Sequence, residues 1–388
     1  MKTRIIGVSH SRFGKLETTL ETLIADAARD AMADAGVDAC DIDAIYVGQF
    51  NSGMNEQEFP ASLVLQADPA LRFKPATRCE NACASGSAAL YQGINLIEGG
   101  MAKRVLVIGA EKMTDASPTS IAEGLLGASY RPESRGIEAG FAGIFAQVAR
   151  AYFERYGDHA DTLARIAAKN HANGVHNPLA QLRRDLGVDV CREVSDKNPV
   201  VAAPLKRTDC SPVSDGAAAM VLAHPDAAPS SRRQVGFRAR AQVTDFMPLA
   251  RRDLTRLEGA GHAWQQVLEA AGVSLNELSL AEVHDCFTIA ELMIYEAMGL
   301  TPTGQGARAI DEGWVMPEGR LPINPSGGLK AKGHPVGATG VSMHVLAARQ
   351  LLGEATGLQI PDARLAAVFN MGGMGVANYA SILERVGD

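Results

Sequence analysis

Apolar residues follow two rhythms along this chain. Over residues 19–34 (TLETLIADAARDAMAD) they recur every three to four positions, which predicts an amphipathic helix. Residues 44–50 (AIYVGQF) read as a strand, and 104–110 (RVLVIGA) form the continuous apolar run of a strand buried on both faces. Between them, residues 85–99 predict a second helix, opened by small side chains. Short buried strands alternating with helices argue for an α/β architecture.

The same order returns later in the chain. Ala35-Gly36-Val37 is followed ten residues after Val37 by Val47, and Ala271-Gly272-Val273 is followed at the same distance by Val283. Each segment carries an acidic and then an aliphatic residue at matched places, Asp41-Ile42 and Glu277-Leu278. Ala84-Ser85-Gly86 opens a helix leading to the strand at Arg104, and Ala338-Thr339-Gly340 opens one leading to a strand at Arg364. Helix, strand, Gly-rich loop, helix, strand thus occurs twice, the mark of a duplicated unit.

The hydropathy pattern divides the chain into a first half over residues 1–113, an insertion over 114–201, a return to the first half over 202–231 and a second half over 232–388. The insertion is rich in Gly, Arg and His and matches nothing in the repeat; insertions on a rigid frame commonly carry specificity. The return contains Ser214-Asp215-Gly216 and the run AAAMVLA, and the Pro/Ser-rich residues 225–231 read as its linker.

Composition narrows the function classes. With 388 residues, 46% apolar and 21% charged, the chain can bury two cores or one large pseudo-symmetric one as an ordinary globular protein. A net charge of −7 gives no reason to expect nucleic acid or an anionic membrane as partner. The start, MKTRIIGVSHSRFG, lacks the apolar stretch of a signal peptide, no run approaches membrane-span length, and the ending ERVGD is no targeting tag. Six cysteines without CxxC pairs read as reduced thiols in a cytoplasmic protein rather than a zinc site or a disulfide frame.

Four blocks carry candidate chemistry. Cys83, in NACASGSAAL, stands just before a helix whose positive end favours a thiolate. Its small neighbours admit a substrate, and free backbone N–H groups can hold an oxyanion; the alternative is a small cysteine in a tight helix–sheet contact. Cys79 lacks that flank and reads as structural. His334, in NPSGGLKAKGHPVGATG, is the natural base for a thiol. Lys330 and Lys332 beside it raise a phosphate-binding loop as the competitor, although GxxxxGK[ST] is absent. The repeat places Cys83 and His334 ahead of equivalent helices, so a pseudo-twofold packing would bring them to one site.

His284-Asp285-Cys286-Phe287 follows a strand, where α/β sheets bind ligands; there His284 can donate to a thioester oxygen and Cys286 can move a proton, or the pair is a strand-end His with a core Cys. The cluster FNMGGMG, residues 369–375, is either a further oxyanion N–H or only a tight turn. GxGxxG after a strand is absent, which leaves a dinucleotide enzyme poorly supported.

Together these blocks resemble the thiolase superfamily, with a likeness that runs from IIGVSHSRFG to GGMGVANYASIL. CASG, HDCF and GHPVGATG in this order are a specific combination. HDCF, with KNHANGVHNPLAQ at 169–181, is similar to the sterol-carrier-protein type; EVHDCFTIAE and NPSGGLKAKGHPVGATG look closest to the archaeal type. The resemblance implies an α/β thiolase fold, two pseudo-symmetric βαβαβαββ halves packed as a five-layer αβαβα sandwich with an inserted loop domain. It implies an acyl-CoA C-acyltransferase of lipid metabolism, working by Claisen condensation or thiolytic cleavage, with a coenzyme A thioester as substrate and no cofactor or metal.

By the same resemblance Cys83 is the acyl-accepting nucleophile and His334 its activator. Cys286 is the acid/base at the α-carbon, and His284 completes an oxyanion hole. The backbone of Cys83 with Gly372 or Gly373 forms a second one. Most thiolases keep the acid/base cysteine in a Cys-x-Gly block at the C-terminal Gly cluster; here Phe369-Asn370-Met371-Gly372 has none, which leaves Cys286. Expected partners are a second copy (a dimer or dimer of dimers) and a small OB-fold protein with a zinc ribbon. Rivals are an aldolase or C-acyltransferase on a non-CoA or steroid-type acceptor, and a non-catalytic scaffold subunit. Lys169, Arg183 and Arg184 could meet CoA phosphates but read as solvated surface charge.

Overall fold

The computed structural model describes residues 1–229 and 234–386; residues 230–231 of the expected linker, and 232–233 and 387–388 of the second half, lie outside the described residues. The first half supplies β1 (Arg4–His10), α1 (Leu20–Ala35), β2 (Ala44–Gly48), β3 (Ala76–Cys79), α2 (Ser85–Glu98) and β4 (Arg104–Glu111). The insertion contributes α3 (Pro118–Leu126), α4 (Phe141–Tyr156) and α5 (Ala160–Val175), after which β5 (Gly216–Ala223) returns to the sheet. Leu205–Lys206, read from sequence as part of that return, pairs instead with Val200–Ala202 in a small separate hairpin. The second half supplies β6 (Gln234–Thr244), α6 (Glu258–Ala271), β7 (Leu280–Val283), α7 (Thr288–Ala297), α8 (Gly328–Lys332), α9 (Thr339–Leu352), β8 (Leu365–Gly372) and β9 (Ala377–Val386).

The strands run in the order β3-β2-β4-β5-β1-β6-β9-β8-β7. The two halves meet through a short antiparallel register between β1 and β6, Arg4 opposite Gly236 and Ile5 opposite Val235. Each half repeats one plan: β2 lies parallel to both β3 and β4, and β7 lies parallel to β8 and to an isolated bridge at Ile323, the counterpart of β3. Side chains alternate as the strand period demands. On β4, Val105 and Val107 face the central core while Leu106 and Ile108 face the buried side of α1. The layers are α1, the first half-sheet, α2 against α9, the second half-sheet, and α6.

Two features of the repeat now have physical causes. Gly36 and Gly272 end α1 and α6 in the left-handed conformation, φ 65° and 64°, where glycine has no steric cost. Gly86 and Gly340 let α2 and α9 touch backbone to backbone: a Cβ on Gly340 would collide with the amide nitrogen of Ser87, and one on Gly86 would lie 2.8 Å from the carbonyl oxygen of Gly337. That contact draws the starts of both helices together. Among the described residues no helix is long and apolar enough to cross a membrane.

Candidate active site

Cys83 ends the turn between β3 and α2, a turn in which Ala82 takes a left-handed φ of 50°. The side chain is buried, and burial pushes its thiol up to about 12. The backbone N–H groups of Gly373 and of Cys83 itself approach the sulfur and pull the other way. The expectation that the helix start alone favours a thiolate is therefore corrected: desolvation outweighs it, and the resting group is a thiol.

His334 is also buried, its backbone N–H bonded to Ser214 Oγ at 2.9 Å. Its Nδ1 lies 2.7 Å from Thr339 Oγ1, and that hydroxyl donates to the carbonyl of Pro335. The hydroxyl proton is thus engaged, so Nδ1 carries the ring hydrogen and donates to Oγ1. Nε2 keeps its lone pair and has no partner among the described residues. Burial, then the nearby Lys332, lowers the ring to about 3, so it stays neutral, with the lone pair at Nε2.

His284, at the end of β7, stands edge-on to His334 with ring centroids 5.1 Å apart. The sulfur of Cys83 and one ring nitrogen from each histidine all lie within 4.8 Å of one another. Thiolate and imidazole are zinc-type ligands, and among the described residues the trio brings three such side chains together. His284 Nε2, like His334 Nε2, is buried without a partner among the described residues, whereas Nδ1 meets the Asn370 amide nitrogen at 2.9 Å.

A cavity of about 390 Å³ opens on Cys83, Cys286 and His334. Its wall is mostly apolar and draws on the insertion through Ile121, Leu125 and Phe141, with Val213, Phe287 and Val336 closing it. Cys286 is buried, and its thiol is held well above the usual range by burial first, then by Cys83 and Asp285. Its carbonyl accepts from the Ser211 N–H at 2.9 Å, and Phe287 stacks on Phe145 of α4 at 4.4 Å. The His-Asp-Cys-Phe loop is thus pinned from both sides.

Several supports escaped the sequence reading. Asp285 accepts the N–H groups of Leu329 and Lys330 at 2.6 and 3.1 Å and the Asn170 amide at 2.8 Å, holding the loop that leads to His334. Burial, then Glu291, pushes its carboxyl up to about 7. Glu111 accepts the N–H groups of Phe50, Asn51 and Gly337, which fixes the loop after His334. The available signal was a charged or amide residue inside an otherwise apolar buried run, since such groups survive only with partners.

Other expectations are revised. Lys169 is not solvated surface charge: it is buried, paired with Glu291 Oε1 at 2.9 Å and bonded to the carbonyl of Ile323. Lys330 and Lys332 are buried too, and Lys332 donates to Ser342 Oγ at 2.7 Å, its amine lowered to about 8 by burial. Neither is presented to a phosphate. Arg183 and Arg184 are exposed, and Cys79 is half-buried on β3. Of the two candidate glycines, Gly373 is the one whose N–H reaches the Cys83 sulfur, while Gly372 lies under the Asn81 carbonyl, which leaves no room for a Cβ.

Residues 3–226 match the family model "Thiolase, N-terminal domain", and residues 241–385 match "Thiolase C-terminal domain-like". The chain belongs to the thiolase family. This thiolase is 37% identical to an acetyl-CoA acetyltransferase of Methanothermobacter thermautotrophicus across 98% of its own length and 99% of that protein's. It is 32% identical to human sterol carrier protein 2, covering 95% of the chain and 69% of that longer protein. Among solved structures, the Ltp2-ChsH2(DUF35) aldolase superposes with a TM-score of 0.84 at 21% identity, over 99% of this chain and 98% of that one. The Acat5 thiolase from Ascaris suum in complex with coenzyme A gives 0.71 at 16% identity, over the full length of both chains.

Proposed function

We propose that this thiolase is an acyl-CoA C-acyltransferase that carries the acyl group on Cys83 in a ping-pong cycle. The carrying observation is the meeting of Cys83, His284 and His334 within 4.8 Å, with Cys286 on the wall of the same cavity. His334 Nε2, a free lone pair, takes the Cys83 proton as the sulfur attacks the thioester carbonyl. The N–H groups of Cys83 and Gly373 hold the oxyanion. The tetrahedral adduct collapses to acyl-Cys83 and the CoA thiolate leaves.

Cys286 rests as a thiol. It gives its proton to the departing CoA sulfur and, now a thiolate, removes the α-proton of acetyl-CoA. His284 Nε2 and the imidazolium formed at His334 face the enolate oxygen. The enolate carbon attacks acyl-Cys83, the C–S bond breaks, and His334 returns its proton to the sulfur. Cleavage of a 3-ketoacyl-CoA is the reverse. Intact mass after mixing with acetyl-CoA tests this reading: one acetyl group on the unmodified protein and none on Cys83→Ser is the expected result, and an adduct that survives Cys83→Ser overturns it.

The same proposal extends to assembly and location. β3 is an outer strand of the sheet, flanked by Phe59 and Phe73 at 79% and 88% exposure. An open edge with exposed aromatics suits a second copy of the chain. An acyl-binding partner, the small OB-fold zinc-ribbon type, is kept as a companion; the aldolase of similar fold, Ltp2-ChsH2(DUF35), carries a second component in its name. Six free cysteines suit the reducing cytoplasm.

A further inference from the structure

We infer that Asn370 is a positioning residue that locks His284 in the Nε2–H tautomer, so that this ring donates into the site while its neighbour His334 accepts. The inference rests on the acyltransferase reading only for its kinetic consequence; the tautomer itself follows from the hydrogen bonds.

Asn370 lies on β8, fully buried, in the run LAAVFNMG. One atom of its amide group lies 3.2 Å from the carbonyl oxygen of Cys83, and a carbonyl only accepts. That atom is therefore Nδ2. The same Nδ2 lies 2.9 Å from His284 Nδ1, so it donates its second hydrogen there, and Nδ1 must hold a lone pair. Oδ1 on the other side accepts the Ser87 hydroxyl at 2.8 Å, and a flip of the amide would set Oδ1 against the Cys83 carbonyl oxygen, two acceptors face to face. A neutral His284 with Nδ1 unprotonated carries its hydrogen on Nε2, the atom with no protein partner among the described residues. Burial, then His334 and Lys332, keeps the ring neutral.

The two histidines are thus opposite in kind. Thr339 makes His334 an Nδ1–H ring with a free Nε2 lone pair, and Asn370 makes His284 an Nε2–H ring with a free donor. Two identical side chains acquire a base role and an oxyanion-donor role from one hydroxyl and one amide. Ser87 and Gly340 both pack on Asn370 Oδ1 or its approach, so the contact between the two central helices holds the lock as well.

The test has two arms. In the unmodified, substrate-free protein, long-range ¹H–¹⁵N correlation of the histidine rings, assigned by loss of one signal in His284→Gln, is expected to show His284 protonated at Nε2 and His334 at Nδ1. An Nδ1–H signal for His284 overturns the inference, whatever the enzyme does with acetyl-CoA. The second arm is Asn370→Asp. An ionised carboxylate there accepts from Nδ1–H and strips Nε2 of its proton, whereas protonation of the new pair restores the Nε2 donor. The variant's kcat should fall about tenfold per pH unit above the pKa of that pair while the unmodified enzyme stays flat there. At its low plateau the loss should reach about 10²–10³-fold, the cost of one oxyanion donor, with KM little changed. His334 and Lys332, the titratable groups facing His284, are common to both proteins, so a shared limb cancels. A pH profile parallel to that of the unmodified enzyme overturns the positioning role, since a merely structural defect lowers activity equally at every pH. Loss of acetyl transfer in the unmodified protein would instead sink the acyltransferase reading and leave the tautomer result standing.

Discussion

At the residue scale, the resting chemistry of the site is set by exclusion of water. The Cys83 and Cys286 thiols are both pushed up and the His334 and His284 rings both pushed down, which leaves four neutral groups that exchange protons only when substrate arrives. Alkylation of Cys83 by iodoacetamide, followed by peptide mass, should therefore rise about tenfold per pH unit between about pH 7 and 9, because the thiolate fraction grows without saturating below a pKa of about 12. A plateau below pH 7 would show a preformed thiolate. Cys83 and His334 were legible because each stands among small residues just before a helix. Ser87 and Asn370 were not, since they bond each other across 283 residues of sequence. A lone asparagine in the apolar run of β8 was the visible trace.

At the element scale, function depends on two helix starts held in contact. Gly340→Ala puts a methyl group against the backbone of Ser87, and overpacking of this kind typically costs about 1–3 kcal/mol. Urea unfolding should show that loss, together with weaker activity, because the same shift moves Cys83 from His334. Gly36 and Gly272 gave the repeat away: their left-handed caps require glycine at matched places, so duplication stayed visible there while surface positions diverged. The short strand bridge at Ile323 left no such mark, being one residue pair without a periodic run of its own.

At the scale of the whole molecule, the insertion is part of the machinery. It lines the cavity with α3 and α4, and it braces the second half from behind through Lys169, Asn170 and Glu291. Lys169→Met should cost about 3–5 kcal/mol in urea unfolding, because Glu291 would be left buried without its cation; a change within 0.5 kcal/mol, the range of about that size typical of surface sites, would restore the surface-charge reading. That reading failed because a lysine's partner 122 residues away cannot be seen from its own neighbourhood. In light scattering the protein should show twice the chain mass, and Phe73→Lys should shift it toward the monomer. A monomer in the unmodified protein would contradict the proposed use of the β3 edge.

The division of labour between the two cysteines is the central claim, and intact mass with turnover in the same sample tests it most directly. Mixed with acetyl-CoA, the unmodified protein and Cys286→Ser should each gain one acetyl group. Condensation by Cys286→Ser should fall by about 10²–10⁴-fold, the usual contribution of a positioned acid–base group, and Cys83→Ser should gain nothing. An acetyl group that persists on Cys83→Ser, or a Cys286→Ser protein that condenses at the unmodified rate, would contradict the account.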